Sequence, residues 1–333
     1  MTNIVLIGVG KLGSRHLQAL SQTQIEDTNL FVVDPSTSAL NLGKERFIEM
    51  PANENITSIN YFTELDNLGV NEIDLAIVAT TSEHRKLVIK ALCKTYKIKN
   101  MILEKFLFQD EDSYREVNKI LDDRKINTWV NCPRRGWSFY KDLKIKLADK
   151  KISQVDVTGT KWSIATSAIH FIDLISFLVE EVKYKVVNLD FGNTFVPAYS
   201  VITGPRESKY IEFFGAMHGK FLNTHFNFTC LEEEMPFSIT LFTSQGTISI
   251  FEELGKCYVS TSDGEGIEVQ EIDLHMPYQS ELTNLIAEDI INEGKCCLTP
   301  FKESMRLHLP LLKSYLEYLN KISEDIKDVC PIT

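Results

Sequence analysis

The chain has 333 residues, of which 44% are hydrophobic and 24% are charged, and it carries a net charge of −11. This composition indicates a globular protein large enough for two domains and excludes a disordered or fibrous chain. Because nucleic-acid binding requires a concentrated basic surface, the negative charge argues against a nucleic-acid partner and leaves room for a phosphorylated small molecule. The seven cysteines form no C-x-x-C pair, which argues against a disulfide framework or a metal site.

The start of the chain and its longest nearly uncharged stretch both bear on location. The opening MTNIVLIGVG enters a strand at once, without the basic leader or cleavage site of a secretory signal, so we expect a cytoplasmic protein. Residues 162–179 contain only His170 and Asp173 as ionisable groups. Both groups would be costly in a lone membrane-spanning helix. The stretch therefore predicts a buried helix of a soluble core and no membrane partner.

Strand and helix signals alternate through the first 130 residues. Short runs rich in β-branched and aliphatic residues predict buried strands at 3–7, 30–34, 75–80, 101–105 and 128–131. Amphipathic patterns between them predict helices at 14–22, 37–47, 83–96 and 112–124. This alternation predicts an α/β fold in which residues 1–130 form a doubly wound, parallel sheet with helices on both faces.

After Pro133 the pattern changes. A helix at 140–148, a strand at 154–160 and the buried helix around residue 170 precede a run of strands, clearest at 210–217, 221–228, 237–242 and 247–251. Two helices, at 279–293 and 301–321, close the chain and could pack back on the first domain. We predict that residues 131–333 form a second α/β domain with a large, mainly antiparallel open sheet. Its open face would be buried in a homodimer or homotetramer.

A glycine-rich loop joins the first strand to the first helix. In G-x-G-x-x-G, read here as Gly8, Gly10 and Gly13 around Lys11 and Leu12, the glycines permit a tight turn and close approach to a pyrophosphate. The helix N-terminus then attracts the phosphates. The alternative is a glycine-rich turn without a ligand.

Asp34 ends the next strand at the spacing that this motif requires. A carboxylate there accepts the ribose hydroxyls of NAD and repels the extra phosphate of NADP, and no arginine follows it to clamp a phosphate. The sequence therefore predicts NAD as the cofactor in preference to NADP. A surface turn residue before Pro35 is the alternative reading of Asp34.

Three segments, GVGKLGSRHLQAL (8–20), AIVATTSEHRKLVIKAL (76–92) and MILEKFLF (101–108), together resemble the glucose–fructose oxidoreductase / inositol dehydrogenase family, often called Gfo/Idh/MocA. The segment YQSELTNLIAEDIINEG (278–294) is similar to the family's returning helical region. The resemblance spans most of the chain and is weakest between residues 180 and 275. It implies a Rossmann domain paired with an open-sheet domain, and oxidation or reduction of a hydroxyl or carbonyl group on a sugar or cyclitol.

The resemblance also implies roles for individual residues. Lys105, which with Glu104 matches the family's E-K-P, would hydrogen-bond the reacting substrate oxygen, and His170 would accept the proton of the alcohol. Asp173 lies on the same helical face as His170 and is a third catalytic candidate. Because burying either group is costly unless it is paired or used, a structural hydrogen-bonded pair is the alternative. The resemblance also implies that Thr80, Ser82 and His84, at and after the end of the strand predicted at 75–80, contact the cofactor. Glu104, at the end of the strand predicted at 101–105, is a further cofactor contact.

Two positions depart from the family's pattern. Phe106 replaces the proline of E-K-P, so the geometry of Lys105 could differ from that of relatives. Thr166 stands four residues before His170, where sugar dehydrogenases of the family often have an aspartate. A neutral hydroxyl cannot supply the same negative partner, so His170 should be a weaker base unless Asp173 compensates.

Arg134 and Arg135 enter the second domain where relatives begin to contact substrate. One guanidinium turned toward the cleft would bind a carboxylate or phosphate, whereas a solvated pair at the domain junction is the alternative. Together with Trp162 and Thr166 they are the substrate-contact candidates. The resulting hypothesis is an NAD-dependent oxidoreductase acting on a sugar, sugar acid or nucleotide-sugar. An NAD-binding sensor without chemistry, or a reductase of a non-sugar substrate such as a tetrapyrrole or imine, remains as the alternative.

Overall fold

Two sheets, each with its own helices, organise the chain. The computed structural model describes residues 1–191, 195–203, 206–231, 234–262, 266–322 and 327–333. The first part contains, in chain order, β1 (Thr2–Ile7), α1 (Gly13–Leu20), β2 (Thr28–Val33), α2 (Thr37–Ile48), β3 (Ile56–Phe62), β4 (Glu72–Val78), α3 (Ser82–Thr95), β5 (Lys97–Glu104), α4 (Glu111–Arg124) and β6 (Asn127–Asn131).

The remainder of the chain builds the second sheet and then returns to the first. Its elements are α5 (Ser138–Lys146), β7 (Ile152–Thr160), α6 (Ile164–Val179), β8 (Lys185–Asp190), β9 (Phe195–Thr203), β10 (Arg206–Phe213), β11 (Gly215–Lys220), β12 (His225–Leu231), β13 (Ser238–Thr243), β14 (Gly246–Phe251), β15 (Lys256–Ser262), β16 (Ile267–Asp273), α7 (Thr283–Glu293), β17 (Thr299–Pro300) and α8 (Phe301–Ile322).

The first sheet has the strand order β17-β6-β5-β4-β1-β2-β3. All of its strand pairs are parallel except the short β17, which runs antiparallel to β6. Helices cover both faces, so a central strand such as β2 is buried at every residue. Strands β2 and β3 follow β1 on one side, whereas β4, β5 and β6 lie on its other side, so the strand order reverses between β1 and β4. In open α/β sheets a ligand binds in the crevice at such a reversal. This is the predicted Rossmann architecture.

The second sheet has the order β16-β15-β14-β13-β7-β12-β11-β8 and is antiparallel except where β12 runs parallel to β7. Strands β9 and β10 form a separate antiparallel pair. Helix α6 packs on this sheet, and most of its residues are buried in the core cluster that includes the sheet's apolar side chains. This is the predicted second α/β domain with a large, mainly antiparallel sheet.

Helix α7 and strand β17 pack back on the first sheet. Ile286, Ala287 and Ile290 of α7 join the core cluster that contains Leu17 of α1, and β17 adds a strand beside β6. None of the helices in the described part of the chain combines the length and apolar character needed to span a bilayer.

Three boundaries differ from the sequence predictions for local reasons. Strand β3 was not predicted because its residues are mostly half-buried and mix polar with apolar side chains, as expected at the sheet edge. The strand predicted at 210–217 divides at Phe214, because Gly215 has a φ of +112° and turns the chain from one sheet to another. The strand predicted at 221–228 starts later, because the main chain of Phe221 and Thr224 closes a turn before β12.

Candidate active site

A cavity of about 730 Å³ lies across the carboxyl ends of the first sheet's strands. Asp34, at the end of β2, lines one part of it, and the glycine-rich loop after β1 lines the middle. Lys105, after β5, lines the far part, where Thr166 of α6 and Tyr210 of β10 bring the second domain to the wall. One crevice therefore joins the predicted nucleotide site to the predicted catalytic lysine.

The glycine-rich loop is shaped by close main-chain contacts. Gly8 has a φ of +87°, and a Cβ there would lie 2.9 Å from main-chain atoms of Ala79 and Thr80 after β4. A Cβ on Gly13 would lie 1.8 Å from the carbonyl oxygen of Gly8. The first amide bonded along α1 is that of Ser14, which donates to the Gly10 carbonyl at 2.9 Å. The preceding amides point out of the helix N-terminus, where anions are stabilised.

Asp34 is buried beside this loop. Its Oδ2 accepts a hydrogen bond from the Val9 amide at 2.9 Å, and its Oδ1 accepts one from the Ser36 amide at 2.8 Å. These bonds fix the carboxylate between the glycine loop and the start of α2. The carboxylate is therefore held rigidly at the wall of the cavity.

Arg46 is a contributor that sequence reasoning missed. It lies on α2, far from the motif along the chain, and its guanidinium donates to the Lys11 carbonyl at 2.7 Å and to the Ser14 hydroxyl. An arginine thus supports the loop from the second helix. Nothing in the local sequence marks it, because the contact depends on how α2 packs against α1.

The three polar candidates after β4 do not behave alike. Thr80 and His84 line the cavity. The Thr80 hydroxyl is buried and has no hydrogen-bond partner among the described residues. Ser82 is a correction: its hydroxyl donates to the carbonyl of Ile332 in the C-terminal segment and does not line the cavity.

Glu104 lines the cavity but is held by a buried network. His16 Nε2 lies 2.9 Å from Glu104 Oε1, and Asn131 donates to the same oxygen at 2.5 Å. Burial alone would raise the pKa of the Glu104 carboxyl, but the hydrogen bonds from His16 and Asn131 outweigh burial and lower it. His16 Nδ1 continues to the Thr283 hydroxyl at 2.8 Å, so the network ties α1 and β5 to the returning helix α7.

Lys105 is the charged group at the inner part of the cavity. Its Nζ donates to the main-chain carbonyl of Thr166 at 3.1 Å, a contact between the two domains. Burial lowers the pKa of Lys105, and the neighbouring Glu104 opposes this shift. The following Phe106 is joined to Lys105 by a cis peptide bond and is fully buried, with its ring 4.8 Å from that of His308. Lys105 thus lines the cavity although Phe106 stands where the family has proline.

His170 lies on α6 one turn after Thr166. Its Nδ1 is buried without a hydrogen-bond partner in the part of the chain that the structure describes. Burial, and then the positive charges of Lys105 and Arg134, hold the pKa of His170 well below its usual value. The imidazole is therefore neutral around neutral pH and a weak base, and His170 is not among the residues that line the cavity.

Asp173 is bound as one half of a buried ion pair. Arg135 Nε donates to Asp173 Oδ2 at 2.8 Å and Arg135 Nη2 donates to Oδ1 at 3.0 Å, and the Thr299 hydroxyl also binds the carboxylate. The second amino group of Arg135 reaches Glu303 at 3.1 Å. Asp173 therefore has a structural partner, but that partner is Arg135 and not the His170 of the predicted alternative pair, and this carboxylate does not compensate for the neutral Thr166.

Arg134 and Trp162 also belong to the interior of the second domain. Arg134 forms two hydrogen bonds with Glu252, at 2.8 and 2.7 Å, and stacks over the ring of Phe171. Trp162 donates to the Thr229 carbonyl at 2.8 Å and packs edge-on against Phe171. Neither arginine of the pair nor Trp162 lines the cavity; Arg135 is buried and the Arg134 side chain is 16% exposed, so the pair is mostly removed from solvent. Of the four predicted substrate contacts, Thr166 alone is in the wall.

Arg85 was not predicted, although it is among the most buried side chains of the chain. Its guanidinium donates to the carbonyls of Thr80, Phe106 and Leu107. Burial lowers the pKa of Arg85 to about 10, so it is charged at neutral pH. It ties together the two loops, after β4 and after β5, that carry the cavity wall. The sequence offered no signal beyond a charged residue on the inner face of α3.

The C-terminal segment also reaches the cavity. Cys330 and Ile332 are fully buried, and Thr333 lines the cavity. The Ile332 carbonyl accepts hydrogen bonds from Ser82 and from Gln109, the latter at 3.0 Å. On the other side, the Ile211 amide of β10 donates to the Pro331 carbonyl at 2.7 Å. Residues 330–333 therefore bind both domains beside the catalytic candidates.

Comparison with known proteins gives a family model for the N-terminal part of the chain and a fold for nearly all of it. The sequence model of an oxidoreductase family with an NAD-binding Rossmann fold matches residues 2–132. No curated protein sequence matches the chain significantly.

Solved structures match over nearly the whole chain at low identity. One is UDP-N-acetylglucosamine 3-dehydrogenase GnnA from Acidithiobacillus ferrooxidans, with 13% identity, a TM-score of 0.66, and coverage of 93% of this chain and 95% of that one. Another is an oxidoreductase from Agrobacterium radiobacter in complex with NAD⁺, L-tartaric acid and magnesium, with 14% identity, a TM-score of 0.67 and 98% coverage of both chains. A super-repressor mutant of Gal80p from Saccharomyces cerevisiae has 15% identity, a TM-score of 0.66 and 94% coverage of both chains. At these identities the likeness establishes the fold.

Proposed function

Because the N-terminal part of this chain belongs to the Gfo/Idh/MocA family of oxidoreductases with an NAD-binding Rossmann fold, we propose that the protein is an NAD-dependent oxidoreductase. It would transfer a hydride between the nicotinamide and a hydroxyl or carbonyl group of a sugar, sugar acid or nucleotide-sugar. Residues 1–130 would bind the cofactor and residues 131–333 the substrate. The observation that carries the proposal is the single cavity shared by the glycine-rich loop, Asp34 and Lys105.

The residues that line this cavity fit a dinucleotide. The amides at the start of α1 face it and would bind the diphosphate, and Asp34 would accept the ribose hydroxyls. Thr80 offers a buried hydroxyl without a partner among the described residues, on the side of the cavity that leads to Lys105. The bound cofactor would supply the hydride acceptor or donor at the inner end.

The protein's own groups would handle the substrate oxygen and its proton. The Lys105 ammonium, oriented by the Thr166 carbonyl, would donate a hydrogen bond to the oxygen and stabilise negative charge on it. His170, one turn after Thr166 on α6, would accept the hydroxyl proton when an alcohol is oxidised and return it in the reverse direction, although burial makes it a weak base. Lys105, Thr166 and Tyr210 contribute polar groups to a cavity wall that is otherwise mainly apolar, so the lining does not choose between a sugar and a tetrapyrrole.

Two experiments in sequence test this proposal. Mass spectrometry of molecules that copurify with the chain would identify a bound nucleotide. NADH absorbance would then be followed with a panel of neutral sugars, sugar acids and nucleotide-sugars. Because Arg134 and Arg135 are bound to Glu252 and Asp173, the structure gives acidic sugars no special advantage. NADH binding without turnover of any panel member would contradict the enzymatic proposal.

The second candidate function is a cofactor-binding regulator without chemistry. The observation that favours it is the C-terminal segment, residues 330–333, which binds the Ser82 hydroxyl and places Thr333 in the cavity wall. The similarity of fold to the Gal80p structure is compatible with this reading. Tight NADH binding together with failure across the whole substrate panel would be its signature.

Cofactor preference rests on Asp34. In the Asp34→Asn variant the neutral side chain can still accept from the Val9 amide but loses the charge that binds ribose hydroxyls and repels a 2′-phosphate. We expect NADH affinity to fall about 10-fold, as for loss of a charged hydrogen bond, and NADPH affinity to stay or rise. Fluorescence titration with both nucleotides measures this, with Asp123→Asn on exposed α4 as the control. An unchanged ratio of the two affinities would remove Asp34 from cofactor selection.

A further inference from the structure

Glu212 is a buried carboxylate that faces the first turn of α6. It lies on β10 and is only 4% exposed. Its Oε1 accepts hydrogen bonds from the Ala165 amide at 2.9 Å and from the Phe213 amide at 3.0 Å. Its Oε2 accepts one from the Thr166 hydroxyl at 3.2 Å. All three partners donate, which is the pattern expected around an ionised carboxylate.

The start of α6 lacks a cap of its own. The helix begins at Ile164, after Ser163 in a left-handed conformation that makes no side-chain cap hydrogen bond, and its first turn contains no acidic residue. The first amides of any helix have no intrahelical partner, and negative charge stabilises that end. Glu212 therefore provides from a neighbouring strand what the helix sequence does not contain.

This same turn is the one that holds the lysine. The Thr166 hydroxyl binds Glu212, while the Thr166 carbonyl accepts from Lys105 Nζ at 3.1 Å. Thr166, Lys105 and Tyr210, the residue two before Glu212 on β10, all line the cavity. One residue thus connects a buried negative charge to the ammonium group in the active-site candidate.

We propose that Glu212 is a positioning residue for Lys105. It fixes the first turn of α6, so that the Thr166 carbonyl is aimed at the ammonium, and it places a second carboxylate, besides Glu104, on the side of the second domain. The role rests on the proposed function, in which Lys105 binds the substrate oxygen as a cation. It assigns to β10 a part of the site that the glycine loop and α6 do not contain.

The charges around Lys105 explain why another carboxylate matters. Burial lowers the pKa of Lys105, Arg85 lowers it further, and Glu104, the Cys132 thiol and Glu212 raise it. Glu104 is already shared with His16 and Asn131 in the buried network described above. The charge of Glu212 is linked to Lys105 through a turn that touches both.

The remaining ionisable groups near this pair do not substitute for Glu212. Lys105 lowers the pKa of both His170 and His308, and burial contributes most, so that His308 has a pKa of about 3. Both imidazoles are therefore neutral near neutral pH. Burial raises the pKa of Glu212 itself, and the donors on Phe213, Ala165 and Thr166 oppose that shift.

The test measures the titration of Lys105 directly, without a substrate. Purified protein is acetylated with trace acetic anhydride over a pH series, and the modified peptide containing Lys105 is quantified by mass spectrometry. In Glu212→Gln the titration midpoint of Lys105 should move to lower pH. At a fixed pH below the wild-type midpoint, its acetylation should be about 3- to 10-fold faster. The limiting rate at high pH reports reagent access separately.

Two further variants make the result specific. Glu252→Gln removes another buried carboxylate of the second domain, one that binds Arg134, and should leave the Lys105 midpoint unchanged. Thr166→Val removes the hydroxyl link to Glu212 but keeps the Glu212 charge, so it should speed acetylation of Lys105 about twofold. This variant replaces Glu212→Gln if the latter does not fold. A purely structural Glu212 would lower the melting temperature without moving the midpoint, and that result would overturn the proposal.

The outcome is separable from the proposed function. If Lys105 titrates earlier in Glu212→Gln but no panel substrate is turned over by the wild-type protein, the positioning role stands and the enzymatic assignment fails. If the wild-type protein is active and the Lys105 midpoint is the same in both proteins, the assignment stands and the role of Glu212 is rejected.

Discussion

Replacing Lys105 with methionine is expected to lower kcat/KM by about 10²- to 10³-fold, with NADH affinity within about a factor of three of wild type. Methionine keeps the buried aliphatic stem but cannot donate to the substrate oxygen or carry charge. The loss should therefore fall on the transition state, where negative charge develops on that oxygen. Turnover is measured with whichever panel substrate the wild-type protein oxidises, and NADH affinity by fluorescence titration.

The matched control is Lys99→Met on β5, the strand that precedes Lys105. Lys99 is half exposed and bound to Asp74 and Glu72 at the far end of β5 from the cavity. It should keep wild-type kcat/KM. A Lys105→Met variant that retained wild-type kcat/KM would show that the reaction does not use this ammonium.

Replacing Asp173 with alanine is expected to lower the free energy of unfolding by about 3–5 kcal/mol. The substitution leaves Arg135, which is nearly fully buried, without its bidentate partner, and also leaves the Thr299 hydroxyl without its acceptor. The cost is mainly that of a buried guanidinium left with only the half-buried Glu303 as its partner. Urea denaturation followed by circular dichroism measures the loss, and NADH affinity should remain unchanged.

A double variant tests the same pair more sharply. In Asp173→Ala/Arg135→Met neither charge is left alone, so the combined loss should be clearly smaller than the sum of the two single losses. Glu303, which also touches Arg135, is half-buried and leaves the double variant with a partly solvated carboxylate. Additive losses would mean that the two groups do not act as a pair. A fall in turnover larger than the fall in folded protein would return Asp173 to the catalytic residues.

The parts of the site that follow from local sequence were accessible before the structure. The glycine loop, Asp34 and the strand that ends at Glu104 each depend on a short motif in a recognisable strand–turn–helix order. Parallel strands place their carboxyl ends at one edge, so the spacing of these motifs already predicts that they meet. The Rossmann fold and the cavity follow from that rule.

The rest depended on contacts between distant segments. Glu212 and Arg46 look like ordinary charged residues in sequence, and only the packing of β10 on α6 and of α2 on α1 gives them their positions. The Arg134 and Arg135 pair was visible, but its partners, Glu252 and Asp173, lie well over thirty residues away, so the sequence could not show that both charges are neutralised inside the second domain.

The C-terminal segment has a consequence for how ligands enter. Its Pro331 and Ile332 carbonyls accept hydrogen bonds from Ile211 on one domain and from Ser82 and Gln109 on the other. Any motion that separates the two domains must therefore break at least one of these bonds and pull the Ile332 side chain out of its buried position. Residues 330–333 therefore connect the two domains, and hydrogen exchange at the Ile211 amide would report their separation.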